Sequence, residues 1–548
     1  MPALDCVVVG YFDGEFRQHQ AAVERMGPGS PEFEVFRRDQ LSIDGVRRPY
    51  MDVVSELVNG AAHKRGEPGD QLYHVGEVSN LAAVYLTNYL QKSGFRTEFV
   101  SILPAERDTL TDLLVEGRPE VVAITTTFYL TPMPVINLVR RIREHSPDAT
   151  VVVGGPLVAN LVSDLEETKL AFFFDKMGAD AYVLESQGEQ TLADLLAARR
   201  AKEPLSSVPN VFHRADGTWE LTTRVAENND LNRWSIDWSE VSPGHVGATA
   251  QTRTARSCAF SCAFCDYPFR AGKLATADVA TVERELAALA EHGVRNVVFI
   301  DDTFNVPIGR FKEICRAIIR NSFDFSWFSY LRCSNVPDEE TFDLMHESRC
   351  GGVFLGIESG DETVLANMNK RASLERYTWG LGQLNDRGIA SFASFIAGFP
   401  GETEQTVQNT IAFIESTKPT FFRVEPLWYN RRAPIGKSAD DFGLTGSGYR
   451  WSHGTMDSAG ACAAVETIFD TVTQSRWMPT YMFDFWALPY LLGKGMSLDS
   501  VKEFHERAQD LMRAQLCDVS SPESAKAEAA LREFGDALRL DASKFRAL

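Results

Sequence analysis

Between residues 1 and about 215 the chain alternates short runs rich in Val and Ile with stretches whose apolar residues recur at helical spacing. LDCVVVG, RTEFVS, EVVAITT, TVVVGGP, DAYVLE and NVFHR have strand character, and LAAVYLTNYLQKSG, DTLTDLLVEG, PVINLVRRIREH and EQTLADLLAARR have helical character. Continuous β-branched runs separated by helices predict parallel strands buried on both faces, and hence a doubly wound α/β domain. Ligands of such domains sit beyond the carboxyl ends of the strands. Three of those ends carry small or polar residues: Thr125–Thr126–Thr127, Gly154–Gly155–Pro156 and Glu185–Ser186–Gln187–Gly188. Residues 14–75 break the rhythm with polar, Gly- and Pro-containing sequence. They are too long for an ordinary connection and predict an insertion that covers a ligand or a neighbouring domain.

Residues 216–252 read as a linker, and a second alternation fills residues 253–430. TARS, NVVFID, SWFSYL, GVFLGI, ASFASFIAG and TFFRVEPLW are strand-like and are separated by amphipathic stretches such as VATVERELAALAEHG and ETEQTVQNTIAFIES. Six βα units predict an open (β/α)6 barrel, with its chemistry at the carboxyl ends of the strands. Residues 431–548 change to aromatic-rich irregular sequence and then to helices such as SLDSVKEFHERAQDLMRAQL, which predicts a mostly helical C-terminal domain. The expected architecture is therefore α/β: a doubly wound domain, an open barrel and a helical region.

Hydrophobic residues at 44% and charged residues at 24% fit a chain that folds throughout. The formal charge of −20 repels phosphate backbones and anionic membranes, so neither nucleic acid nor a membrane is an expected partner. No run of 18 apolar residues and no leader-like start occur, which predicts a cytoplasmic location.

Three of the nine cysteines fall within eight residues, in RSCAFSCAFCDYPFRAGK. Cys258, Cys262 and Cys265 have the spacing C-x₃-C-x₂-C. Thiolates hold soft metals, and three at this spacing suit three irons of a 4Fe–4S cluster, leaving the fourth iron open. A structural zinc site wants a second cysteine pair, which the chain lacks, while a catalytic zinc with a distant His stays open.

This loop, with Phe264 just before its last cysteine, resembles that of the radical S-adenosylmethionine (SAM) enzymes. VVFIDDTFN, LRCSN, GIESGDE and FIAGFPGET extend the resemblance to the subgroup with an N-terminal cobalamin domain. It implies that Asp302, Arg332, Glu358 and Ser359 contact SAM, Arg332 at its carboxylate. SAM would chelate the open iron, and one electron would cleave it to a 5′-deoxyadenosyl radical. In the first domain, VVVGGP and GADAYVLESQGEQTL resemble a cobalamin-binding domain. This implies cobalamin contacts from Thr126, Thr127, Gly154, Gly155, Glu185 and Gly188. The D-x-H-x-x-G string that supplies a cobalt-ligating His elsewhere does not occur: His63 follows Ala61 where the Asp should be, and His74 lacks both partners. Without the orienting Asp, cobalamin is expected to bind with no protein His on its lower face.

Together these parts imply a methyltransferase that uses methylcobalamin and a radical on an unactivated carbon or phosphorus, with a one-electron donor such as flavodoxin or ferredoxin. WYNRRAP, YRWSHGTMDS, FDFWALPYLLGKGMS and LDCVVVGYFDGEF are similar to the phosphinate P-methyltransferases of natural-product biosynthesis. The substrate is then a small or peptide-linked natural product, and Arg431, Arg432 and Lys437 could receive its phosphinate by charge-assisted hydrogen bonds. Trp428, Tyr429, Trp451 and His453 either line that cavity or pack the C-terminal region. A ring closure or oxidation without methyl transfer, and a non-catalytic cobalamin sensor or iron–sulfur carrier, are the competing readings.

Overall fold

The structure, a computed structural model, describes residues 3–11, 16–67, 69, 73–102, 106–127, 129, 131–481 and 486–538. Residues 12–15 and 482–485, within two of the strings that resemble the P-methyltransferases, lie outside the described residues. We number only the strands of the two large sheets.

The first sheet holds β1 (Cys6–Tyr11), β2 (Thr97–Ile102), β3 (Val121–Thr125), β4 (Thr150–Gly154), β5 (Ala181–Val183), β6 (Val211–Ala215) and β7 (Thr218–Leu221), in the order β2-β1-β3-β4-β5-β6-β7. β1 to β5 are parallel, while β6 and β7 join antiparallel at one edge. Within β1, Cys6 and Val8 face one apolar core and Val7 and Val9 the other, so both faces are buried, as the unbroken apolar run requires.

The second sheet is parallel throughout and runs in sequence order: β8 (Thr249–Thr252), β9 (Asn296–Phe299), β10 (Ser326–Tyr330), β11 (Cys350–Glu358), β12 (Ala390–Ala397), β13 (Phe421–Pro426) and the two-residue β14 (Arg476–Trp477). β8 and β14 are its edges, so the barrel is open. The first barrel strand lies ahead of the expected TARS segment. Ala255–Arg256 instead pairs antiparallel with Ala275–Thr276, and the stretch read as a linker contains both β7 and β8.

The insertion forms helices Phe16–Met26 and Pro31–Phe36, the hairpin Gln40–Ile43/Val46–Pro49 and helix Tyr50–Lys64. It packs largely on the C-terminal helices. Ser42 exchanges backbone hydrogen bonds of 2.8 and 2.6 Å with the Gln515 side chain, and Gly535 lies so close to Leu57 that a Cβ there would come within 2.9 Å of it. Tyr50, Leu57, Phe421, Phe504 and Leu511 belong to one core that continues through the barrel. The helical region expected after residue 431 is present as Ser458–Thr471, Leu498–Asp518 and Pro522–Ala537, and it shares this core with the insertion. No helix among the described residues is long and apolar enough to cross a membrane.

Candidate active site

The cysteine loop leaves the barrel just after β8. Asp301, buried beyond β9, accepts the backbone N–H groups of Thr254 and Ala255 at 2.6 and 2.9 Å and fixes where the loop departs. Downstream, Ala263 N–H donates to Met368 O at 2.8 Å, Ile435 N–H donates to Ala263 O at 2.8 Å, and Asn369 Nδ2 donates to Ser261 O at 2.8 Å. Three separate chain segments thus hold one short loop in place.

On that loop Cys262 is buried and Cys258 and Cys265 are half-buried, all three as free thiols. Burial, aided by the nearby Cys262 and Cys258, pushes the Cys265 thiol up to about 11, so the three sulfurs feel one another. Among the described residues no three His, Cys, Asp or Glu gather around a point as the ligands of a single ion do. A cubane instead spreads three thiolates over three irons, and these cysteines are the residues that would hold it. Phe264 meets the buried Phe399 edge to face, with ring centroids 6.5 Å apart.

Arg332 lies 3.8 Å from the centroid of the Phe260 ring, and its backbone is clamped by Asn305, which donates to Arg332 O at 3.0 Å and accepts from Arg332 N–H at 3.1 Å. Its Nη2 is buried and has no hydrogen-bond partner among the described residues. An orphaned buried donor costs about 1–3 kcal/mol, which a bound carboxylate would relieve, so this residue fits the carboxylate of SAM. Asp302 keeps solvent access, but the surrounding protein and the adjacent Asp301 push its carboxyl up to about 6. Glu358 ends β11 with φ +74 and is paired with buried Lys370 at 2.8 Å. Ser359 is buried, and its hydroxyl accepts the N–H of Asp361 at 3.2 Å.

At the ends of the first sheet, Thr126 Oγ1 donates to Gly154 O at 2.7 Å and accepts Leu157 N–H at 3.2 Å, and the hydroxyls of Thr125 and Thr127 lie 3.2 Å apart. Gly155 has φ +101, and a Cβ there would come within 2.9 Å of Thr126 Oγ1. Gly188, with φ +82, opens helix Glu189–Ala201, and Glu185 is tied to Arg224 at 3.3 Å. This ledge of short residues at the strand ends, with Gly155 and Gly188 in backbone conformations that favour glycine, fits a large flat ligand such as a corrin. Gly155, with φ +101 and ψ −166, holds a conformation that only glycine adopts readily, so Gly155→Ala should cost about 1–3 kcal/mol of backbone strain. We expect the loop to shift and cobalamin affinity to fall about tenfold. Titration of the apoprotein with cobalamin, followed by absorbance, checks this; an unchanged Kd would mean the ledge is not the binding surface. His63 lies near the end of helix Tyr50–Lys64, and His74 caps the next turn by accepting Gly76 N–H at 2.9 Å.

The ledge of the first sheet and the cysteine loop are joined directly. Arg256, two residues before Cys258, donates through Nη1 to Gln187 Oε1 at 2.6 Å and to Asn229 O at 3.1 Å. Arg432 reaches Asn160 at 3.4 Å, Asp164 at 3.7 Å and Asp266 of the cysteine loop at 3.7 Å, bridging the first domain to that loop. Arg431 Nε donates to Gly446 O at 2.7 Å. Tyr429 is buried and bonded through its backbone to Gly448, Trp451 Nε1 donates to Leu427 O at 2.7 Å, and His453 Nε2 lies 3.0 Å from Gly398 O. Trp428 is 60% exposed. Sequence reasoning missed Lys370, Asn305 and Asp301. Asn305 and Asp301 lie within the quoted VVFIDDTFN string, whereas nothing local marks Lys370 as buried.

The Radical SAM superfamily matches residues 252–414, and the B12 binding domain matches residues 74–193. An uncharacterized methyltransferase of Pyrococcus horikoshii is 33% identical over 29% of this chain and 35% of its own length. The anaerobic magnesium-protoporphyrin IX monomethyl ester cyclase of Rubrivivax gelatinosus is 24% identical over 61% of each chain. This chain therefore spans less than two thirds of either relative. Among solved structures, the radical SAM methyltransferase TsrM of Kitasatospora setae, with cobalamin and a [4Fe-4S] cluster bound, shares the fold with a TM-score of 0.61 at 19% identity, over 80% of this chain and 97% of that one. The cobalamin-dependent radical SAM enzyme OxsB gives a TM-score of 0.58 at 14% identity, over 83% of this chain and 73% of that one. The chain thus joins a B12-binding domain to a radical SAM domain, and its cofactors are a 4Fe–4S cluster, SAM and cobalamin.

Proposed function

We propose that the protein is a cobalamin-dependent radical SAM methyltransferase that methylates an unactivated carbon or a phosphinate phosphorus of a small or peptide-linked natural product. The observation that carries this is the Arg256–Gln187 hydrogen bond at 2.6 Å, which sets the end of the first sheet against the cysteine loop and so supports a reading in which two cofactors act on one substrate. When bound, the cluster supplies one electron for cleavage of SAM, and cobalamin supplies a methyl group.

The chain's own residues do the rest. Cys258, Cys262 and Cys265 would hold the cluster, the unpartnered Nη2 of Arg332 would receive the SAM carboxylate, and Asp302 would serve its ammonium. Thr126, Gly154, Gly155 and Gly188 shape the corrin ledge. Past β13, the exposed Trp428 and Arg431 and the half-buried Arg432 and His453 keep enough exposure to meet a substrate, whereas Tyr429 and Trp451 are buried and serve packing. An external flavodoxin or ferredoxin delivers the electron.

The fold shared with TsrM over most of both chains supports methyl transfer. The cyclase relative favours a second reading, ring closure or oxidation in which cobalamin moves electrons. Anaerobic protein given reductant and methyl-labelled SAM separates the two. Formation of both 5′-deoxyadenosine and S-adenosylhomocysteine is expected of the methyltransferase. Deoxyadenosine without S-adenosylhomocysteine would shift the assignment to the second reading.

A further inference from the structure

Lys370 follows helix Glu362–Asn367 and is 7% exposed. An ammonium is buried only where a partner and shape are provided for it. Here both are. Nζ lies 2.8 Å from Glu358 Oε1 at the end of β11, and the carboxylate is buried as well. Gly356 leaves the room: a Cβ there would come within 2.4 Å of Glu358 Oε1 and 3.2 Å of Lys370 Nζ. Lys370 N–H donates to Leu365 O at 3.1 Å, and the two preceding residues, Met368 and Asn369, are the ones bonded to the cysteine loop. The ammonium therefore comes to lie 5.5 Å from the centroid of Phe264, which stands between Cys262 and Cys265 on the loop.

We propose that Lys370 is a positioning residue that fixes Glu358 on β11 and, through its buried charge, raises the reduction potential of the cluster held by Cys258, Cys262 and Cys265. This rests on the cluster assignment made above. Reduction adds one electron, and hence one negative charge, to the cluster. A nearby buried cation stabilises that charge, and a nearby buried carboxylate opposes it. Of the ion pair, the ammonium is the end that lies against the cysteine loop, 5.5 Å from the ring of Phe264 between Cys262 and Cys265, so the pair acts with its positive end toward the cluster. The reach of Lys370 to Glu358 also fixes the carboxylate that the sequence resemblance placed at SAM.

The test is a redox titration of the full-length, cluster-loaded protein without SAM, read by the electron paramagnetic resonance signal of the reduced cluster. Lys370→Met should lower the midpoint potential, Glu358→Gln should raise it, and the double variant should fall between them. Lys370→Arg should return the potential toward that of the unaltered protein. An unmoved midpoint in Lys370→Met, or shifts of the same sign in the two single variants, would overturn the proposal. Should Lys370→Met fail to fold, the sign of the Glu358→Gln shift decides it, with Lys370→Arg expected to hold the potential of the unaltered protein; a Glu358→Gln midpoint that is unmoved or lowered overturns the proposal. An unaltered protein that takes up no cluster would overturn the cluster assignment and this inference together. A cluster with unmoved potentials removes only the role of Lys370.

Discussion

Cys262→Ala is expected to abolish 5′-deoxyadenosine formation and to leave the reconstituted protein short of iron. Cys262 is the most buried of the three loop thiols, and its neighbours on both sides are bonded to other segments. The backbone therefore cannot move another side chain into its place, and a cluster with two thiolates is held too weakly to persist. Cys462→Ala supplies the control. Cys462 is also buried but lies on helix Ser458–Thr471, outside the loop, so its loss should leave iron content unchanged. Iron analysis with quantified deoxyadenosine checks both variants. Retention of SAM cleavage in Cys262→Ala would sink the cluster assignment.

Asp39→Ala should give the largest loss of stability. Asp39 binds Arg423 of β13 in a two-pronged pair, Oδ1–Nη1 2.8 Å and Oδ2–Nη2 3.2 Å, and its Oδ1 also accepts Thr480 N–H at 2.8 Å. Both side chains are nearly fully buried, at 5% and 2% exposure. Truncating one partner of such a pair strands the other charge, which costs about 3–5 kcal/mol. Arg423 keeps Glu425 at 2.6 Å, which places the expected loss near the lower end. Denaturant unfolding followed by tryptophan fluorescence should show the midpoint falling. Arg423→Met combined with Asp39→Ala strands only Glu425, which is less buried than Asp39 and keeps the Thr480 hydroxyl at 3.2 Å, so the double variant should lose less than the two singles summed. A double variant less stable than the sum of the two singles would refute this account.

The parallel strands of the first sheet were legible because burial on both faces demands unbroken apolar runs, and β1, β3 and β4 have them. β8 was not, because its sequence is TAQT. Thr249 Oγ1 donates to Pro489 O at 3.0 Å and Gln251 Nε2 to Ser79 O at 3.1 Å, so this strand is buried through polar side chains satisfied by distant carbonyls. Such partners leave no trace in local pattern. The cysteine loop was legible because ligand spacing is a local property. The Glu358–Lys370 pair was not, since it joins a strand end to a turn 12 residues on, and periodicity says nothing of which lysine turns inward. The insertion showed itself by its length, but its neighbours lie at the far end of the sequence.

That last arrangement bears on the order in which the protein can be made. Ser42 and Gln515 are 473 residues apart, and helix Tyr50–Lys64 is covered by helix Pro522–Ala537. During synthesis the insertion emerges early, while the surface that buries Tyr50 and Leu57 emerges only after the whole barrel. Contacts of such separation form slowly, since a long loop must close before they stabilise anything. The nascent chain must therefore keep an apolar face on residues 40–64 unpartnered while the whole intervening barrel is made.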